Sequence, residues 1–218
     1  MTVTQVPLTG AESACVGLVA LGLIASDIGW RVVRHLTVMA HEGAHAVTAT
    51  LLSRKFLGIT LNRDATGATA YTSGGGTGDM IITFSGYVGP SLFGIGAARL
   101  IELRHIVAVL WVTVFLLSVL LLGLSMSFGR LSVILAGGLV FYIGRYTPAS
   151  AQSIAAYTIA WLLLLSGVRR VIEVGTESSD GASLRDLTHL PRFLWFLLWL
   201  AGTVAAVAIG GDLLITQA

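Results

Sequence analysis

Seven apolar stretches, roughly 13–30, 33–53, 80–100, 106–126, 130–147, 151–170 and 193–215, alternate with shorter polar connections along the chain. A helix needs only about 20 apolar residues to cross a bilayer. The pattern therefore predicts an all-α polytopic membrane protein with about seven hydrophobic segments. The first, fourth and seventh read as plain lipid-facing helices. The second carries His41, Glu42 and His45 among alanines. Ionisable groups are expensive at membrane depth, so these three are candidate functional residues. Two stretches break the apolar pattern. Residues 56–79 alternate apolar and polar positions about the turn signal Asn62-Arg63-Asp64-Ala65-Thr66-Gly67, which predicts a small β-hairpin over about 56–72 and a Gly74-Gly75-Gly76 linker. Residues 171–192 gather Glu173, Glu177, Asp180, Arg185, Asp186, His189 and Arg192 and read as a polar loop.

Composition narrows the class. Of 218 residues, 55% are apolar and only 11% charged, where a soluble domain carries about 25% charge. That shortage excludes a soluble enzyme and a disordered chain. A net charge of +2 without a basic run excludes a nucleic-acid binder. The single cysteine, Cys15, excludes a disulfide framework and a cysteine-based zinc site. Residues 1–13 hold no Lys or Arg, so no cleavable signal peptide is expected. With no internal repeat, residues 1–218 read as one membrane-embedded unit. Seven crossings would set Arg31, Arg34, Arg99, Arg104 and Arg145 on one side. The other eight basic residues, and the N-terminus, would share the side that the positive-inside rule makes cytoplasmic.

His41-Glu42-Gly43-Ala44-His45 is an H-E-x-x-H pattern. On a helix, residues four apart share a face, so both imidazoles can address one ion. Glu42 lies about 100° away around the axis. From there its carboxylate can reach an activated water without ligating the metal. The motif starts well inside its segment, which on a straight span means a depth of about 15 Å, near mid-bilayer. An unpaired Glu there is costly, and a metal ion is its natural compensation.

Three features together resemble the site-2-protease-type intramembrane zinc metalloproteases, the M50 peptidases, and among them the compact bacterial M50B branch. They are His41-Glu42-Gly43-Ala44-His45 in a span, Gly86-Tyr87-Val88-Gly89-Pro90 in the next, and Ser179-Asp180-Gly181 far downstream. The resemblance covers residues 33 to about 192. It implies one catalytic Zn2+ held by His41, His45 and Asp180, with Glu42 as general base. It implies a membrane-protein substrate cut in or near a transmembrane segment, and a multi-pass place in the lipid bilayer of a bacterial cell membrane. It also places a β-hairpin after the zinc helix. Two departures stand out. Phe93 and Ser178-Ser179 occupy positions near which better-known members carry asparagines thought to position substrate.

Asp180 is favoured as third ligand over Asp186, which adjoins Arg185, and over His189, which nears Pro191. Gly181 is expected to let the backbone turn sharply there. Gly86, Gly89, Gly94 and Gly96 are expected to allow close helix packing, and Gly89-Pro90 to kink the third segment beside the site. His35 and His105 are expected at the interface, and Trp30, Trp195 and Trp199 in an aromatic belt. The rival from another class is a non-catalytic family member or a metal-handling membrane protein that binds partner helices. The intact Glu42 and both histidines weigh against the first. The absence of further ligands on other spans weighs against the second.

Overall fold

In the computed structural model, which describes residues 6–125 and 127–216, each apolar stretch becomes a helix. They are α1 (Gly10–Ala25), α2 (Asp27–Leu51), α3 (Gly76–Glu102), α4 (Ile106–Gly123), α5 (Ser127–Tyr146), α6 (Ala149–Val174) and α8 (Arg192–Thr216). The hairpin forms from β1 (Phe56–Leu61) and β2 (Gly67–Tyr71), paired antiparallel with Ile59 opposite Thr69. Between α6 and α8 lies a helix the pattern does not predict, α7 (Ser179–Thr188). It is too short and too polar to register as an apolar period. The Ser178 side chain caps it by accepting the Gly181 N–H.

The expectation of seven crossings gives way at Ser26. Five helices are long and apolar enough to cross a membrane, and α1 with α2 makes a sixth unit bent by 99°. Ser26 terminates α1 and caps α2, its side chain accepting from the Gly29 N–H. The two helices therefore cannot run on as one rod. The contacts give the course of the chain. α1 runs beside α6 in the same direction, tied by Ser153 to the Val6 carbonyl, Trp161 to Ser13, and Arg169 to the Ala25 carbonyl. α3 runs against α6, with Ser91 donating to the Leu164 carbonyl. α2 starts at the far end of α6, where Trp30 and Arg34 both donate to Glu173. It finishes at the start of α3, where Arg54 faces Asp79. Both ends of α2 thus lie at the same end of the bundle, and depth cannot be counted along it.

This moves Arg31 and Arg34 to the side of Arg54, Lys55, Arg63, Arg130, Arg169, Arg170, Arg185 and Arg192. Only Arg99, Arg104 and Arg145 remain at the other end. The start of α1 moves with those three, since Gly10 packs on Ile215 at the end of α8.

Lipid tails are as apolar as leucine, so close backbone approach rather than hydrophobic burial holds helices together here. Gly94 and Gly210 both seat Leu164, Gly17 seats Trp161, and Gly167 seats Ser91. These contacts gather α1, α3 and α8 about the central helix α6. The hairpin packs Ile59 and Leu61 against Val38, Met39, Leu120 and Leu124. Its outer β1 edge is covered, because Ser125 donates its backbone N–H to the Ile59 carbonyl at 3.0 Å. α5 is the least buried of the long helices and leaves most of its surface to lipid.

The aromatic belt is not formed by the expected tryptophans. Trp30, Trp195 and Trp199 are all buried. Trp30 serves Glu173, and Trp199 donates to the Phe84 carbonyl at 3.0 Å.

Candidate metal centre

His41 and His45 lie one turn apart on α2 and turn their Nε2 atoms to each other at 3.1 Å. Asp180 reaches them from the first turn of α7, with Oδ2 at 3.2 Å from His41 Nε2 and 3.4 Å from His45 Nε2. Tetrahedral ligands about 2.0–2.2 Å from one ion stand about 3.3–3.6 Å apart. The triangle is close to that size, and among the described residues it is the one group of three such side chains close enough to share an ion. His45 Nδ1 lies 2.7 Å from the Ile82 carbonyl. A carbonyl only accepts, so this contact puts the proton on Nδ1 and frees the Nε2 lone pair. Burial works to lift the Asp180 carboxyl, yet the His41 and His45 rings hold it well below the usual carboxylate range. Asp180 Oδ2 is buried and lacks a conventional hydrogen-bond partner. Two converging imidazoles and an anionic oxygen are a donor set that fits zinc.

The walls explain the small residues. A Cβ on Gly86 would overlap both imidazoles, and one on Gly89 would overlap Ala44. α3 can lie against the motif only because these positions lack side chains. Pro90 continues α3, although it has no N–H to offer the Gly86 carbonyl four residues back. Tyr87 packs edge-on to His41 at 4.6 Å and against Trp199 at 4.5 Å. Gly181 does not make the expected sharp turn. It is helical, and a Cβ there would stand 2.8 Å from the capping Ser178 Oγ but at an ordinary 3.8 Å from Trp199, so its bareness serves the cap.

Of the other candidates, Asp186 pairs with Arg185 at 2.8 Å in an exposed position, and His189 is the exposed, left-handed C-cap of α7. Neither joins the cluster. Glu42 is 3% exposed. Thr69 on β2 donates to its Oε2 at 2.7 Å and lies 3.1 Å from its backbone carbonyl. Sequence alone marks Thr69 as one position of an alternating strand, with nothing to aim it at Glu42.

Fold and centre together define a multi-pass integral membrane protein with a candidate metal site whose ligands come from two separate helices, roofed by a hairpin. The chain belongs to the Peptidase M50B-like family, whose model matches residues 14–210 and so takes in every residue of the centre. It is accordingly a peptidase of a family of zinc metalloproteases. Comparison with curated proteins and with solved structures returned no match.

Proposed function

We propose that the chain is an intramembrane zinc-dependent endopeptidase, hydrolysing a peptide bond in or near a transmembrane segment of a substrate protein. The observation that carries this reading is the triangle of His41 Nε2, His45 Nε2 and Asp180 Oδ2, with the buried Glu42 carboxylate next to it in sequence. His41, His45 and Asp180 would hold the ion. Bound zinc supplies Lewis acidity, which acidifies water and polarises a scissile carbonyl. Glu42 takes the proton from that water on its carboxylate and passes it to the leaving amine. Helices α3, α7 and α8 close one side of the site with Tyr87 and Trp199.

A helical peptide bond is shielded, so the substrate must be unwound and held extended. β1 already pairs with Ser125, which leaves the outer edge of β2 for strand addition. The Ile59 carbonyl points away from β2 towards Ser125. Its partner Thr69 therefore points its own N–H and C=O outward, as alternate antiparallel pairs do. An added strand on that edge would run beside Glu42. Ten of thirteen basic residues lie at the end of the bundle that carries the centre, so the positive-inside rule makes this the cytoplasmic side of a bacterial cell membrane.

The experiment is comparative proteomics of membrane-protein fragments in cells carrying the wild type or Glu42→Gln, with zinc content measured on both purified proteins. Fragments that vanish in the variant, with zinc retained, support the reading. Identical fragment sets from two zinc-loaded proteins would overturn it in favour of a non-catalytic metal protein.

A further inference from the structure

The Glu42 carboxylate has one hydrogen-bond partner among the described residues, and it comes from the hairpin. Thr69 Oγ1 lies 2.7 Å from Oε2 and 3.1 Å from the Glu42 backbone oxygen. Both are acceptors, so the single hydroxyl proton goes chiefly to the shorter contact. Two residues earlier on the same strand face, Gly67 covers the same side chain. A Cβ there would stand 2.6 Å from Oε1, 2.7 Å from Cγ and 2.9 Å from Cδ. Gly67 has no positive φ, so the space, rather than the backbone conformation, requires glycine.

We propose that β2 sets the position of the Glu42 carboxylate, with Thr69 as a positioning residue that holds one oxygen and Gly67 as the bare floor that lets the strand close on it. The idea rests on the peptidase reading and adds to it the part that orients the base. A carboxylate on three rotatable bonds has several rotamers, and a base that wanders loses rate steeply, about 10²-fold for an ångström of misplacement. Thr69 is β-branched and therefore stiff at χ1, so its hydroxyl direction follows from the strand register. The register is fixed at both ends. Asn62, Asp64 and Thr66 hydrogen-bond across the turn. Phe56 fills the space that a side chain at Gly123 would take. A slip of one residue would turn Thr69 away from α2 altogether.

The test needs no natural substrate. The full chain, purified in detergent and loaded with zinc, is titrated with a peptide hydroxamate. Such a ligand chelates zinc through two oxygens and gives its hydroxyl proton to the neighbouring carboxylate. Thr69→Val should weaken hydroxamate binding by about 10-fold, the low end of what outer-shell partners cost, with one zinc per chain still bound. Thr69→Ser, which keeps the hydroxyl, should restore it. Gly67→Ala should weaken binding as well, by pushing Glu42 aside. In a Glu42→Gln background, Thr69→Val should have no further effect, because the residue acts through that carboxylate. Equal losses in both backgrounds, or an undiminished affinity in Thr69→Val, would overturn the proposal. A different result marks failure of the underlying reading. If Glu42→Gln keeps zinc and binds hydroxamate as tightly as the wild type, Glu42 is not the base and Thr69 has nothing to position. A wild type that takes up no zinc, or takes it up and ignores hydroxamate, removes the open metal site and the proposal with it.

Discussion

Gly86 and His45 touch so closely that the smallest side chain on the glycine would overlap the imidazole Nε2, and it would stand 2.6 Å from His41 Cε1. The contact crosses from the middle of α3 to the metal-facing side of α2. Gly86→Ala must therefore move one ring or separate the two helices, and either spoils the triangle. Zinc per chain, measured by elemental analysis, should fall well below one. Gly96→Ala on the same helix, where a Cβ meets nothing within 4 Å, should leave it at one.

Glu42→Gln should abolish hydrolysis and keep the metal. Glutamine preserves size and hydrogen bonding, including the bond from Thr69, but cannot accept a proton from water. Loss of a general base costs typically 10²–10⁴-fold in rate. Fragment proteomics and zinc analysis of the same preparation check both halves. Full activity with normal zinc would refute the assigned role.

Asp180→Ala should lose zinc and activity together, since two histidines alone leave the ion one protein ligand short of the usual three. Asp186→Ala and His189→Ala should keep both, because the first breaks only an exposed pair with Arg185 and the second only an exposed helix cap. An Asp186 variant that lost the metal would show that α7 docks in another register.

Single cysteines in a Cys15→Ser background test the course of the chain. Arg31→Cys, Thr72→Cys and Glu177→Cys, at three exposed positions, should all react with an impermeant thiol reagent from one side, and Thr147→Cys from the other. A chain of seven crossings would put position 31 opposite position 72. Labelling of that kind would restore α2 as a span and remove the strong bias of basic residues to one end.

How much of this was legible beforehand depended on the length scale of the signal. Helix positions came from runs of about twenty apolar residues, and the hairpin from alternation about Asn62–Gly67. The histidines and Glu42 were legible because their spacing matches one helical turn. Asp180 was reached through family likeness, since nothing local distinguishes it from Asp186. The break at Ser26 was not legible. It lies between two apolar runs that read as successive spans, and the contacts that fold α2 back, Trp30 and Arg34 to Glu173, join residues some 140 positions apart. The same separation hid the burial of Trp30 and Trp199. α7 escaped because its pattern is polar, and Thr69 because aiming a strand residue at α2 is a tertiary matter.

The centre also has an order in time. Its histidines and Glu42 are made well before Asp180, the carboxylate that completes the triangle, which sits on a helix packed against α3 and α8. A half-made chain carries two ligands and a base but no closed site. On the proposed reading, the ligand set therefore closes only after every segment from α2 to α7 has been made and α7 has docked.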